Sequence, residues 1–273
     1  MNAPYAFLRG GEMNAIQRFF ENLRKGSFRA GYTCDACGKE LFDYPAHRIC
    51  AACEQGLQRN TGKTCDKCGR KTVADGICLN CKRDLPAFER GVSPFVYRGS
   101  VAAYVNRFKK GEVRLTWYFG ARMAETLIER VIRPQEDGSN ALGITAENPL
   151  LLVPVPLTEA RKAERGYNQA ERLAEAVQEK LLDLGLPVEM DTDILIKTRD
   201  GEQQKHIGYQ ARRENVSGAY RVEKRKACKD RTIVLIDDVL TTGATGSECA
   251  DRLLRANAKT VIFLTAASLE EQK

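Results

Sequence analysis

The chain has 273 residues, of which 43% are hydrophobic, and a formal net charge of +7 at pH 7. That length suits one medium domain with a small appendage, and that apolar content excludes wholesale disorder. No apolar run reaches membrane-spanning length and no signal-peptide core opens the chain, so the expectation is a cytoplasmic protein without membrane insertion.

Residues 1–30 read as an N-terminal arm. Met13 opens the helix-like stretch MNAIQRFFENL, so Met1 and Met13 both stand as candidate starts. Residues 31–86 carry eight of the ten cysteines as four CxxC pairs: Cys34/Cys37, Cys50/Cys53, Cys65/Cys68 and Cys78/Cys81. CDACG and CDKCG have the form of a zinc knuckle, in which a tight turn aims two thiolates and nearby N–H groups at one ion. Two such pairs make a closed tetrahedral four-cysteine site. Four pairs in so short a stretch favour Zn2+ over a redox dithiol or an iron site. A double zinc ribbon with two structural Zn2+ is therefore expected, its pairing either sequential or cross-braced. Its role is to hold together a segment too short for its own core. His47 stands between two knuckles as a surface residue or a substitute ligand, and Cys228 and Cys249 read as buried or half-buried thiols.

Residues 1–90 hold 15 Lys/Arg against 10 Asp/Glu, an excess that two metal-bound four-cysteine sites largely cancel. The cationic stretch is instead residues 197–231, with 11 Lys/Arg against 5 Asp/Glu. Tyr209 and Tyr220 lie within it and would stack bases on a single-stranded nucleic-acid track. A second basic and aromatic patch runs from Tyr104 through Arg107, Lys109 and Lys110 to Arg114, Trp117 and Tyr118. The simpler reading of that patch is an amphipathic helix with lysines reaching to water.

Residues 87–273 form the second predicted domain. LLLVPVP (150–156), TIVLID (232–237) and KTVIFLTAA (259–267) read as strands; 168–184 and 245–258 have helical periodicity. Near-continuous apolar strands alternating with amphipathic helices indicate an α/β fold with an open parallel sheet covered on both faces. Ligands of such folds bind at the carboxyl ends of the strands. At one such end stands Asp237-Asp238-Val239, followed by the lean stretch Leu240 to Thr245 before a helix beginning near Thr245. Thr hydroxyls, closely approaching backbone N–H groups and a helix start make a site for a phosphate monoester. The two carboxylates suit a neighbouring cis-diol. Phosphate beside a diol describes ribose 5-phosphate.

IVLIDDVLTTGAT resembles the phosphoribosyl pyrophosphate (PRPP) signature of type I phosphoribosyltransferases. Together with VPVPLTEARKAERGYNQAERLA, QQKHIGYQARRENVSGAY and the cysteine pairs, it makes nearly the whole chain resemble the ComF family of competence-associated proteins. That resemblance implies a role in DNA uptake, with single-stranded DNA and a helicase-like partner, and PRPP with Mg2+ as ligand. It assigns Asp237 and Asp238 to the ribose diol, and Val239, Thr241, Thr242, Gly243, Ala244 and Thr245 to the surroundings of the 5′-phosphate. Thr158, Arg161 and Lys162 match the turn approaching pyrophosphate, with Arg165, Tyr167, Asn168 and Gln169 lining the same cleft. Asn168 reads equally as a helix N-cap. Gln204, Lys205, Arg212, Arg213 and Asn215 fall in the loop that closes over substrate, which has GEQQ where the family pattern leads one to expect Thr-Pro. The resemblance makes Asp237, Asp238, Arg161 and Lys162 the catalytic candidates. No proton acceptor for a nitrogen nucleophile stands out, so three classes remain: phosphoribosyltransferase, nucleic-acid-binding PRPP module and zinc-held scaffold.

Overall fold

The computed structural model describes residues 32–42, 47–133, 140–199 and 218–271. The N-terminal arm lies outside the described residues, as do Gln204, Lys205, Tyr209, Arg212, Arg213 and Asn215.

Two short helices, α1 (Ala51–Gln55) and α2 (Leu79–Arg83), precede a broken edge strand made of β1 (Arg90–Val92) and β2 (Phe95–Val96). Helices α3 (Gly99–Phe108) and α4 (Leu115–Leu127) follow, α4 running into a π-helical turn at Ile128–Ile132. Next come β3 (Leu150–Pro154), α5 (Glu159–Arg165), α6 (Gln169–Asp183) and β4 (Val188–Met190). A small antiparallel pair, β5 (Leu195–Lys197) and β6 (Tyr220–Val222), leads through α7 (Arg225–Cys228) to β7 (Thr232–Leu240). The chain then forms α8 (Ala244–Leu254) and β8 (Thr260–Ser268).

Six strands make one parallel sheet in the order β1-β8-β7-β3-β4, with β2 pairing β8 beyond β1. The apolar runs are unbroken because successive side chains point to opposite, equally buried faces. Leu150, Leu152, Val234, Ile236, Ile262 and Leu264 face Phe119 of α4 and Leu173 and Val177 of α6. Leu151, Val153, Ile233, Leu235, Val261 and Phe263 face the other way, onto Ala250 and Leu253 of α8. Helices α4 and α6 cross so closely that a methyl group at Gly120 would lie 2.4 Å from Ala176 Cβ. Cys228 and Cys249 are both fully buried, as expected. Among the described residues, no helix is long and apolar enough to cross a membrane.

The cysteine-rich segment joins this sheet at its edge. Pro94, which has no N–H to give a ladder, separates β1 from β2. Ribbon backbone takes up the exposed groups: Asn60 N–H donates to Pro94 O at 2.8 Å, Val96 N–H to Gln58 O at 2.9 Å and Gly91 N–H to Lys67 O at 2.7 Å.

Two readings need correction. The strand at 232–237 continues to Leu240, because Asp237 and Leu240 still pair with Thr265 and Ser268 of β8. Asp237 and Asp238 thus lie within the last turns of a held strand. The patch at 104–118 is two helices rather than one, broken at Lys109–Arg114 around Gly111 at φ +100°. Val101, Val105 and Phe108 face the core as an amphipathic helix requires.

Candidate functional site

The eight cysteines gather in sequential order into Cys34, Cys37, Cys50, Cys53 and Cys65, Cys68, Cys78, Cys81, each set within 4.8 Å. The two sets repeat one local design. Thr33 pairs with Glu40 and Thr64 with Lys71 to close hairpins, and Gly38 and Gly69 take φ +76° and +69° after the second thiol. Cys50 and Cys78 then stand at the starts of α1 and α2. An ion about 2.3 Å from each of four sulfurs separates them by roughly 3.8 Å. Cys37 and Cys50 Sγ are 3.8 Å apart, and Cys68 and Cys78 Sγ 3.7 Å. Cys50 N–H points to Cys34 Sγ at 3.3 Å, and Cys78 N–H to Cys65 Sγ at 3.3 Å, the donors that thiolates need. Both sets therefore fit Zn2+. His47 belongs to neither; its ring meets Tyr118 edge-on at 5.8 Å.

The residues expected to hold a ribose phosphate converge where the sheet topology reverses. From β3 the chain crosses to β4 on one side; from β7 it crosses to β8 on the other. The crevice beyond the carboxyl ends of β3 and β7 is thus the switch point at which open α/β sheets bind ligands. Pro154 pairs with Ile236, and Val155 N–H donates to Ile236 O at 2.8 Å, so the turn bearing Thr158 leaves the sheet beside the acids.

Asp237 and Asp238 are both half-buried. Burial raises Asp237 to about 7, and the neighbouring Asp238 carboxylate adds to that. Asp238 N–H, bonded to Asp237 Oδ1 at 2.8 Å, acts in the opposite direction, with Lys109 and Lys197. After Leu240 the loop narrows to Thr241–Gly243, and Gly243 at φ +86° caps α8. Thr242 Oγ1 accepts from Ala244 N–H at 3.3 Å. First-turn N–H groups of α8 face the same end of the sheet and favour an anion.

One site residue escaped the sequence reading. Lys109, just past α3, places Nζ 3.1 Å from Asp238 Oδ2. Burial alone would lower its pKa, but Asp238 and Asp237 raise it, so it stays charged. Its only sequence signal was membership of the basic patch, where the same lysine reads as a solvated charge.

The family-matched residues downstream of β3 divide. Thr158 caps α5, accepting from Arg161 N–H at 3.3 Å. Lys162 is exposed and bonds Glu171 Oε1 at 3.1 Å. Arg165 and Tyr167 border an outer groove with Gly111, Trp117 and Arg172, and Tyr167 Oη accepts from Gly111 N–H at 3.2 Å. Gly166 ends α5 at φ +78°, and buried Asn168 begins α6, accepting from Ala170 N–H and donating to Val155 O, each at 3.0 Å. Asn168 is thus a cap. Gln169 is buried, and its Nε2 has no partner among the described residues. Tyr220 is buried as well, which removes it from base stacking. Of the cations flanking residues 200–217, Arg221 bonds Glu223, Lys224 bonds Asp191 and Asp193, and Arg231 bonds Glu189.

No family model matches the chain. It is 26% identical over 208 residues to Competence protein ComFC of Bacillus subtilis (strain 168), covering 74% of this chain and 75% of that one. It is 27% identical over 218 residues to DNA utilization protein YhgH of Escherichia coli (strain K12), covering 78% and 87%. With Competence protein F of Haemophilus influenzae the figures are 26% over 223 residues, 81% and 83%. The chain is similar to the ComF proteins. Among solved structures, hypoxanthine-guanine phosphoribosyl transferase of L. donovani aligns at TM-score 0.33 and 17% identity, over 55% of this chain and 66% of that one. Hypoxanthine phosphoribosyltransferase of Trypanosoma cruzi aligns at 0.32 and 16%, over 58% and 66%.

The raised Asp237 has a consequence for stability. Its unfolded reference is 3.8 and its folded value about 7. A raised acid contributes most below the lower value, and that contribution is lost as pH rises through the upper one. Asp237→Asn is therefore expected to raise Tm by a few degrees relative to the unsubstituted protein at pH 8.5, and by less at pH 5.5. Equal offsets in melts at both pH values would show that Asp237 is not raised.

Proposed function

We propose that the crevice between β3 and β7 binds PRPP or a closely related ribose 5-phosphate compound, and that the protein uses this site in handling DNA during natural transformation. The observation that carries the ligand is the run Asp237 to Thr245, which sets two carboxylates and a lean hydroxyl-rich loop at the switch point, before a helix N-terminus. The carboxylates accept hydrogen bonds from the ribose hydroxyls. Thr241, Thr242, Gly243, Ala244 and Thr245 enclose the 5′-phosphate. The names of the relatives, competence proteins and DNA utilization proteins, support the biological setting. Two structural Zn2+ hold the cysteine clusters, and the protein works in the cytoplasm.

If a phosphoribosyl group is transferred, positive charge grows on the ribose ring as pyrophosphate leaves. Asp238, ion-paired with Lys109, and Asp237 beside it then face the developing positive charge, the arrangement that preorganised electrostatics rewards. Mg2+ arriving with PRPP would neutralise the departing pyrophosphate, assisted by Arg161 and Lys162 once Lys162 leaves Glu171. Single-stranded DNA is the proposed macromolecular partner, with Lys205, Arg212 and Arg213 as its contacts.

The deciding measurement is pyrophosphate release from PRPP across a panel of bases, amines and single-stranded DNA, run beside calorimetry of PRPP with Mg2+. Binding with release identifies an enzyme and its acceptor. Binding without release leaves a PRPP-responsive module. Absence of binding refutes the proposal. Affinity for single-stranded DNA should fall steeply with salt, and a flat response would remove the phosphate track.

A further inference from the structure

Arg70 joins the second cysteine cluster to the phosphate loop. It follows the CDKCG knuckle, is 2% exposed, and has a partner at each end of its guanidinium. Nε donates to Cys68 Sγ at 3.2 Å, and Nη2 donates to the backbone oxygen of Thr241 at 3.0 Å. A guanidinium so deeply buried is stable only with anionic or strongly accepting partners. Here one partner is a metal-site sulfur and the other is the first residue of the loop that would enclose phosphate.

The surroundings make this link matter. All four cysteines of the second cluster are buried in the hydrophobic cluster that contains Leu235 and Leu240 of β7 and Cys249 of α8. A cavity of about 320 Å3 is lined by Cys68 and Cys81 together with Thr242, Gly243 and Ala244. The Arg70 bond to Thr241 O is a direct contact between ribbon and loop. Farther along, Ala87 N–H donates to Ser247 Oγ at 3.0 Å and ties the ribbon to α8 rather than to the loop. The first cluster has a different neighbour: Arg107 of α3 donates to Ala36 O at 2.6 Å and Asp35 O at 3.2 Å, and no bond of that set reaches the loop.

We propose that Arg70 is a positioning residue that couples metal occupancy of the second four-cysteine cluster to the phosphate loop, so that metal and a ribose 5-phosphate ligand strengthen each other's binding. The coupling rests on the ribose-phosphate reading of the site. With the metal in place, four thiolates give Arg70 its anionic anchor, and Thr241 is held. When the cluster loses its ion, Cys68 no longer fixes Nε, and the loop loses its tie. Coupling of this kind is reciprocal: whatever factor the metal adds to ligand affinity, the ligand adds to metal affinity.

The test uses the full-length zinc-loaded protein with ribose 5-phosphate as probe. In calorimetry, Arg70→Met should weaken ribose 5-phosphate about tenfold, the loss of one charge-assisted hydrogen bond. Saturating ribose 5-phosphate should slow transfer to a chromogenic chelator of one of the two zinc equivalents, and Arg70→Met should abolish that slowing. Arg70→Lys guards against a simple folding defect. A lysine keeps the charge near Cys68 but cannot span both partners as the guanidinium fork does. It should keep zinc content and Tm while losing ligand affinity and the slowing. If the unsubstituted protein binds ribose 5-phosphate and both variants bind it equally, the coupling is wrong and the site stands. If the unsubstituted protein does not bind it, the site is wrong and the coupling falls with it.

Discussion

Replacing Asp237 and Asp238 together by asparagine is expected to weaken Mg2+-dependent PRPP binding at least about a hundredfold, read by calorimetry at pH 8.5, above the value of about 7 to which Asp237 is raised. Each carboxylate offers a charged acceptor to one ribose hydroxyl, and a hydrogen bond to a charged group contributes roughly 1.5–3 kcal/mol. Two such losses multiply, because every 1.4 kcal/mol or so is a factor of ten in affinity. Asparagine matches the shape and still presents a carbonyl oxygen, so the loss reports charge rather than a cavity. The single variants should separate in stability. Asp237→Asn relieves burial and like-charge repulsion at a carboxyl already raised to about 7. Asp238→Asn leaves Lys109, 3.1 Å away, without its carboxylate partner and should lower Tm. Unchanged PRPP affinity in the double variant would remove the diol assignment.

These acids were legible in the sequence because their chemistry is local. A strand, two carboxylates and a glycine-hydroxyl loop occupy one continuous run, and the parallel sheet follows from three apolar strands of unmistakable length. The four CxxC pairs were legible for the same reason, since knuckle, turn glycine and second pair lie within one short hairpin and helix. What stayed hidden depends on distance along the chain. Lys109 and Arg70 are ordinary surface cations by sequence, yet one reaches Asp238 and the other Thr241. No periodicity reports such pairings. The edge strand was invisible because Pro94 cuts it into pieces of three and two residues, too short to show alternation. Asn168 shows the reverse effect: a motif residue that reads equally as cleft lining or N-cap begins α6, and an asparagine ahead of a helical run satisfies either demand.

The two cysteine clusters look equivalent in sequence but should not fail equivalently. Cys65→Ser in the second cluster is expected to abolish the cooperative melt of the full-length protein, whereas Cys37→Ser in the first should lower Tm while a cooperative transition persists. Cys65, Cys68, Cys78 and Cys81 are all buried in the core shared with β7 and α8, whereas Cys37 is exposed. Backbone contact around the second knuckle is also too close to relax. A methyl group on Gly69 would lie 2.1 Å from Gly91 O, and buried Asn60 donates to both Gly69 O at 2.8 Å and Ser93 O at 3.1 Å. The knuckle is thereby locked onto β1, the strand that closes the sheet edge beside β8. Structural Zn2+ is worth about 10–16 kcal/mol in zinc-finger peptides, and whole domains are stable by about 5–15 kcal/mol. Losing even half of the metal energy from a cluster embedded in the sheet core therefore consumes most of the global stability. The same loss at the first cluster falls on a segment whose described ties to the body include the Arg107 bonds to Asp35 O and Ala36 O and the packing of Leu41, Ile49 and Leu57. Thermal circular dichroism with zinc quantification on each variant decides the matter: equal losses would mean that the second cluster is not integral to the sheet.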